Sequence, residues 1–82
     1  MPTILRVDGL RFYFYSHEPN EPPHVHVDRG EASAKFWLHD GSVAGNVGFA
    51  ARDLGALRRL VLDRRGEFLE AWNGFFGSGA DR

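Results

Sequence analysis

Cysteine is absent from the 82 residues, which excludes disulfides, thiolate metal sites and cysteine nucleophiles. No apolar run approaches the roughly 18 residues that a membrane-spanning helix needs, and the first twenty residues lack the pattern of a secretory signal. Glycine-rich phosphate loops, nucleophile elbows and metalloprotease helices are missing as well. We therefore expect a cytoplasmic protein that does not use a membrane and has no recognisable cofactor motif.

An excess of one charge is also missing. The chain carries 10 Lys and Arg against 11 Asp and Glu, a formal net charge of -1. Duplex-DNA-binding domains are usually clearly basic, so we expect no duplex-DNA partner. Five arginines in residues 51–65 are most simply the solvated flank of a helix, although they leave a local anion site open. A single domain of this size has a small core, so association with another chain is a reasonable expectation.

A β-hairpin is the clearest local structure in the sequence. Residues 4–7 and 10–15 flank Asp8-Gly9, a dipeptide typical of a two-residue type I′ turn. Because the loop length sets the register, the predicted pairs are Val7 with Leu10, Arg6 with Arg11, Leu5 with Phe12 and Ile4 with Tyr13.

The remaining chain divides into strands followed by a helix. Residues 17–23 contain three prolines and predict a loop, and alternation predicts strands over 24–28 and 32–39. Residues 42–48 suit either a short edge strand or a loop. The period becomes helical over 51–76, where one apolar sector is formed by Leu54, Leu57, Val61, Phe68, Trp72 and Phe75.

These elements predict an α+β fold. Four or five antiparallel strands, the N-terminal hairpin first, would carry one long helix on one face, and a kink in that helix would fall near residues 64–66. Residues 1–76 form the predicted single domain, and residues 77–82 a disordered tail. Trp72 belongs on the core side of the helix.

One helix covers one face of such a sheet, and we call the other the outer face. Strand alternation assigns to it Arg6, Arg11, Tyr13, Tyr15, His24, His26, Asp28, Lys35, Trp37 and His39. Aromatic rings, histidines and cations dominate this set, whereas a merely solvated face is usually rich in Thr, Glu and Lys. Any activity should therefore be sought here.

The segment Pro-Pro-His-Val-His-Val suggests a metal site as one interpretation. His24 and His26 lie two residues apart on a strand, so their rings can converge. Zinc would need at least a third ligand, which Asp28, His39 or His17 could supply.

Ribonuclease chemistry is a second interpretation of the same segment. His24 and His26 could serve as acid and base across a phosphate without a metal. Lys35, Arg6 or Arg11 would neutralise the charge that develops on the phosphorane, and RNA would be the partner.

A packed partner-binding surface is the third interpretation, and the one that we favour. His24 and His26 would hydrogen-bond the proline-rich loop and stack on neighbouring rings, while Trp37 would contact a partner chain, since Trp and Tyr are favoured at interfaces. The partner-binding residues would be Arg6, Arg11, Tyr13, Tyr15, Trp37 and His39. Whether the protein is an enzyme stays open at this point.

Several segments together resemble the bacterial domain-of-unknown-function 4160 family. They are Met-Pro-Thr-Ile-Leu-Arg, Arg-Phe-Tyr-Phe-Tyr-Ser, Pro22 to Val27, Ala34 to Leu38 and Glu70-Ala-Trp-Asn73. The resemblance covers about residues 2–76. It implies a compact prokaryotic protein encoded beside another small protein, similar to toxin and antitoxin pairs, and it supplies no catalytic residues. The expected partners are the neighbouring-gene protein, a second copy of the chain, or both.

One departure from that family concerns the start of the helix. Members often carry a Ser-Pro pair that caps and begins this helix, and Ala50-Ala51 stands here instead. The loss of a cap costs on the order of 1 kcal/mol.

Overall fold

A computed structural model describes residues 3–15 and 21–76. Its elements are β1 (Thr3–Val7), β2 (Leu10–Tyr13), β3 (His24–Arg29), β4 (Ala32–Trp37), β5 (Val43–Val47), α1 (Ala51–Asp63) and α2 (Arg65–Phe76). The strands form one antiparallel sheet in the order β1-β2-β3-β4-β5. This confirms the predicted α+β fold. Residues 42–48, which suited either a strand or a loop, contain the strand β5. The predicted tail and most of the predicted loop over 17–23 lie outside the described residues.

The first hairpin forms as its turn dipeptide predicts. Asp8 and Gly9 have φ values of 51° and 79°, and two positive values are what a type I′ turn requires. The predicted pairs of Val7, Arg6 and Leu5 are confirmed, but Tyr13 pairs with Thr3 rather than with Ile4. The prediction for Ile4 is wrong because a bulge between Thr3 and Leu5 shifts the register by one residue.

The fourth strand ends two residues earlier than its alternation predicts. The chain turns after Trp37, whose carbonyl accepts a hydrogen bond from the Gly41 amide at 2.8 Å and whose amide donates to the Ser42 carbonyl at 2.9 Å. The next amide, that of Leu38, donates to the Pro23 carbonyl at 3.0 Å, so the turn is held to the start of β3. His39 therefore lies in a turn.

Two helix arginines hold this turn from the other side. Arg58 Nη2 donates to the Asp40 carbonyl at 3.1 Å, and Arg65 Nε donates to the Leu38 carbonyl at 2.6 Å. Gly41 has a φ of +73°, and a Cβ there would lie 2.9 Å from the Leu62 side chain. The turn thus packs tightly against α1 and requires glycine.

The core lies between the helices and the face of the sheet that they cover, which we call the inner face. Its buried members are Leu10, Phe12, Val25, Val27, Ala34, Phe36, Leu38, Phe49, Leu57, Val61 and Phe68. Phenylalanines from the sheet and the helix meet directly, since the rings of Phe12 and Phe68 stack at 5.3 Å. The periodicity of the apolar residues therefore predicts most of this core, but the prediction for Phe75 is wrong, because Phe75 lies near the end of α2 and is 46% exposed.

Helical structure is interrupted at Arg64, where the predicted kink falls. Arg64 has φ −108° and ψ 17°, which separates α1 from α2. Its amide still bonds the Leu60 carbonyl, and its carbonyl accepts from the Phe68 amide. The apolar sector continues across the break because these hydrogen bonds keep the helical spacing. No helix within the described residues has the length and apolar character needed to cross a membrane.

The start of α1 compensates for the missing cap residue. Ala50 occupies the N-cap and has no side-chain acceptor, but its amide donates to Asp53 Oδ2 at 3.3 Å. Asn46 binds both the amide and the carbonyl of Phe49 at 3.1 Å, which fixes the connection from β5. The helix therefore begins at Ala51 despite the absence of a Ser-Pro pair.

Candidate functional site

The strand register arranges the outer-face residues in rows across the sheet. One row contains Arg6, Arg11, Asp28, Ser33 and Val47, and the next contains Tyr13, His26, Lys35 and Gly45. A third row pairs His24 with Trp37. Neighbouring strands lie about 4.8 Å apart, and rows lie about 7 Å apart along a strand. The sheet therefore brings together the predicted strand residues of this face as one compact surface.

Tyr13 lies at the centre of this surface and is only 3% exposed. Its ring stacks on His26 at 5.3 Å and meets Tyr15 edge-on at 5.5 Å. The Arg11 guanidinium lies 4.6 Å from the ring centroid, an attractive cation–π geometry. The Tyr13 hydroxyl donates a 3.0 Å hydrogen bond to Asp28 Oδ1. Tyr13 thus joins β2 to β3 through both its ring and its hydroxyl.

The environment of Tyr13 keeps its phenol neutral. Burial raises the pKa of Tyr13 well above its ordinary value of 10.0, and hydrogen bonds with Tyr15 and Asp28 raise the pKa further. A phenol with a raised pKa is a hydrogen-bond donor at neutral pH rather than a base. Tyr13 therefore stays protonated at neutral pH and organises the surface by donating its hydroxyl hydrogen to Asp28.

His24 is fully buried, and the prediction that it is displayed on an open face is wrong. Its ring contacts Trp72 of α2 at 5.0 Å, because the helix reaches the end of β3 where His24 lies. The ring also meets Trp37 edge-on at 5.7 Å. Nδ1 lies 2.9 Å from the Pro22 carbonyl oxygen, which can only accept, so Nδ1 carries the proton. The predicted hydrogen bond from this histidine to the proline-rich loop is confirmed.

His26 is the histidine that reaches the surface. It is half-buried between Tyr13 and Tyr15, and its centroid lies 4.6 Å from that of Tyr15. The centroids of His24 and His26 are 5.1 Å apart. Only one of the two imidazoles can therefore touch a bound phosphate in this arrangement, whereas general acid–base catalysis by the pair requires both within hydrogen-bond reach.

Lys35 is already paired within the chain. Its Nζ donates to Glu21 Oε1 at 2.6 Å and lies 4.7 Å from the Trp37 ring centroid. Glu21 Oε1 is also 3.7 Å from His24 Nδ1. This pairing lowers the charge that Lys35 could offer to a phosphorane. Glu21 is a residue of the site that the sequence does not reveal, since it precedes β3 in an irregular segment where no periodicity indicates its contact with Lys35.

Arg6 and Arg11 face each other across β1 and β2, a like-charge pair that is unfavourable unless anions lie nearby. Arg11 Nε donates to Thr3 Oγ1 at 3.0 Å, and Arg6 is exposed. Asp28 lies directly opposite Arg11 on β3, but its Oδ1 accepts the hydroxyl of Tyr13. This end of the outer face therefore holds two guanidinium groups and one carboxylate, which leaves it with a net positive charge.

The predicted metal ligands that lie within the described residues do not assemble into a site. Among residues 3–15 and 21–76, no three His, Asp or Glu side chains form a group that could hold a metal ion. Asp28 is engaged by Tyr13, and His24 is buried against Trp72. His17 lies outside the described residues. The described part of the chain therefore does not fit the zinc interpretation.

His39 is not part of the outer face, contrary to prediction, because β4 ends at Trp37. It is exposed in the following turn, with Nε2 3.4 Å from Asp40 Oδ2. Asp40 accepts the Ser42 amide at 2.9 Å, and hydrogen bonding by Ser42 lowers the pKa of the Asp40 carboxyl. The charged and polar groups of this turn therefore interact with each other and are not part of the aromatic surface.

An open groove of about 390 Å³ lies on the inner side, between the first hairpin turn and α1. It is lined by Asp8, Leu10, Arg29, Asp53, Ala56, Leu57, Arg59, Leu60 and Asp63. Arg29 and Asp53 lie 3.8 Å apart across it. Its mixed charges show no grouping of acid, base and nucleophile, so the outer face stays the main candidate site.

A five-stranded antiparallel sheet, with helices on one face and a self-packed aromatic surface on the other, places this chain among small α+β proteins. A family model matches residues 9–73 of the chain. The family is described as Domain of unknown function (DUF4160). The chain belongs to this family, which confirms the resemblance for the motifs within the matched residues; the first motif, residues 1–6, lies outside them. No curated protein and no solved structure matches the chain.

Proposed function

We propose that this protein is a protein-binding component of a two-protein, toxin–antitoxin-like pair in the bacterial cytoplasm, and that the outer face holds its partner. The resemblance to gene-pair proteins motivates the choice of partner, which is the product of the neighbouring gene. The outer face is the part of the molecule best suited to the contact.

The main support for the proposal is the set of rings that pack against each other on the outer face, which α2 reaches only at the His24 end. The rings of Tyr13 and His26 stack on each other, and the Tyr13 hydroxyl donates to Asp28. The Trp37 ring packs against the ammonium group of Lys35. Preorganised aromatic side chains lose little conformational entropy on binding, so they suit an interface. Trp37 is half-buried and serves as the natural anchor.

The charge on the surface suggests the character of the partner. Arg6 and Arg11 are adjacent at one end, whereas Lys35 is paired with Glu21 at the other. A partner with acidic side chains opposite the arginines would relieve their mutual repulsion. The partner surface should therefore combine an apolar pocket for Trp37 with carboxylates near β1 and β2.

Ribonuclease activity has less support from the same geometry. The proposed acid–base pair needs His24 at the surface, and His24 is fully buried. The electrostatic role of Lys35 is reduced by Glu21. Partner binding requires no change in the observed packing. Catalysis by the histidine pair would first require His24 to become exposed by separating from Trp72.

The test is calorimetric titration of the purified chain with its neighbouring-gene product. Trp37→Ala should weaken binding about 30-fold, equivalent to the roughly 2 kcal/mol of a typical hot spot. Arg6→Glu should weaken it about tenfold by reversing an exposed charge, with little effect on folding.

The matched control is Arg52→Glu, the same reversal on the exposed start of α1. It should leave the affinity nearly unchanged. Absence of any complex, or equal affinities for Arg6→Glu and Arg52→Glu together with an unaffected Trp37→Ala variant, would overturn the proposal.

A further inference from the structure

The two edges of the sheet differ in protection. Natural edge strands usually carry charged residues or proline that discourage pairing with other chains. The edge strand β1 contains Arg6, whereas β5 has the sequence Val-Ala-Gly-Asn-Val, without charge or proline. All five residues of β5 are exposed, and Val47 is 69% exposed. Within the described part of the chain, only β4 pairs with this strand.

Apolar side chains flank this edge on both faces of the sheet. Val47 pairs with Ser33 and so lies on the outer side. A register shift between Lys35 and Phe36 places Val43 opposite Phe36, an inner-face residue. Val43 is 42% exposed. The edge thus has one accessible valine on each face of the sheet. Both valines could contact the side chains of an additional strand that pairs with β5.

Leu62 extends the apolar character on the inner side. It belongs to α1, is 37% exposed, and lies against Gly41, two residues before β5 begins. An added strand beside β5 could therefore bury apolar surface from both the sheet and the helix. Backbone pairing alone over five residues would give a small interface, so this flanking surface matters.

We infer that β5 pairs antiparallel with β5 of a second copy of this chain. The absence of charged side chains on β5 removes like-charge repulsion between two identical strands. An antiparallel pair about a two-fold axis uses the same strand on both copies and closes after two chains. The other edge is less suited to self-pairing, because it would bring copies of Arg6 together.

This pairing adds to the proposed function without depending on it. Two five-stranded sheets would become one continuous sheet, with both outer faces on the same side. Each outer face would stay available, because the pairing uses the free backbone edge of β5 rather than the side chains of Tyr13 and Trp37. Partner binding could therefore fail while the dimer stands, and the dimer could fail while partner binding stands.

Sedimentation equilibrium of the purified full chain tests the inference. The wild-type chain should dimerise at concentrations below about 1 mM, and Val47→Lys should raise the dissociation constant at least about tenfold. Thr3→Lys places the same charge on the other edge and should leave dimerisation unchanged. Circular dichroism should show both variants folded, since Thr3 and Val47 are exposed.

Hydrogen exchange supplies a second readout that needs no variant. Dilution should speed the exchange of amides in Val43–Val47, with much less change in β3. A wild-type chain that stays monomeric over the whole range, or a Val47→Lys variant that dimerises as tightly as wild type, would overturn the inference. Faster exchange in β1 than in β5 on dilution would also contradict it.

Discussion

The two faces of the sheet are both packed, but they are packed with different chemistry. On the inner face, Phe12 and Phe36 are completely buried against helix residues such as Phe68. On the outer face, Tyr13 and His24 are almost equally buried, yet each has a polar partner. Burial alone therefore does not distinguish the core face from the candidate functional face.

The difference lies in how each face satisfies its side chains. The inner face gains stability from apolar area removed from water. The outer face keeps polar atoms satisfied, and among the described residues no buried side-chain nitrogen or oxygen lacks a hydrogen-bond partner. The contacts that organise this face lie within the chain itself, while Trp37, Lys35 and His26 stay partly exposed.

The largest effect is expected from the inner face. Phe36→Ala should lower the free energy of unfolding by about 3 to 5 kcal/mol, since it leaves a cavity under the helices. Urea denaturation followed by circular dichroism measures the loss. A loss below about 1 kcal/mol would show that the inner face is not the main source of stability.

The next effect separates the two histidines of the outer face. His24→Ala should cost about 2 to 4 kcal/mol, because it removes a buried ring and the hydrogen bond to Pro22. His26→Ala should cost about 1 kcal/mol, since His26 is half-buried. The same urea experiment measures both. Equal losses would break the distinction between a structural His24 and a surface His26.

A smaller effect concerns the turn that packs under α1. Gly41→Ala should destabilise by about 1 to 3 kcal/mol, because Gly41 has a positive φ and a Cβ would meet Leu62. Gly55→Ala is the control: it lies in α1 with open space around it and should stabilise by about 0.5 to 1 kcal/mol. Thermal unfolding measures both, and the same sign for both would contradict the packing described for the turn.

The smallest effect is the alkaline response of Tyr13. Its folded-state pKa is raised above the ordinary 10.0, so its stabilising contribution is complete below pH 10 and declines as the pH rises further. The decline should not exceed about 1.4 kcal/mol per pH unit. Tyr13→Phe should remove it. Urea unfolding between pH 8 and 11 checks this, and identical pH profiles for the two chains would contradict it.

Local patterns predict much of the fold because the information they need is local. Asp8-Gly9 predicts the first three cross-strand pairs, since the turn dictates where pairing starts. The apolar period predicts Leu57, Val61 and Phe68 as core residues despite the break at Arg64. The bulge near Ile4 was missed because it depends on how the far end of the strand fits its neighbour.

The candidate site is less predictable because loops and the helix end complete it. Strand alternation correctly places His26 and Lys35 on the outer face. Strand alternation cannot reveal that Trp72 of α2 packs against His24, or that Glu21 forms an ion pair with Lys35. Those contacts join segments far apart in sequence or belong to an irregular loop, where no periodicity exists to indicate them.

NMR mapping of the labelled chain with its unlabelled neighbouring-gene product tests directly whether the outer face holds the partner. If it does, the largest chemical-shift changes should fall on the outer face, at Tyr15, His26, Lys35 and Trp37. Changes concentrated on the exposed sides of α1 and α2, with the outer face unperturbed, would contradict it.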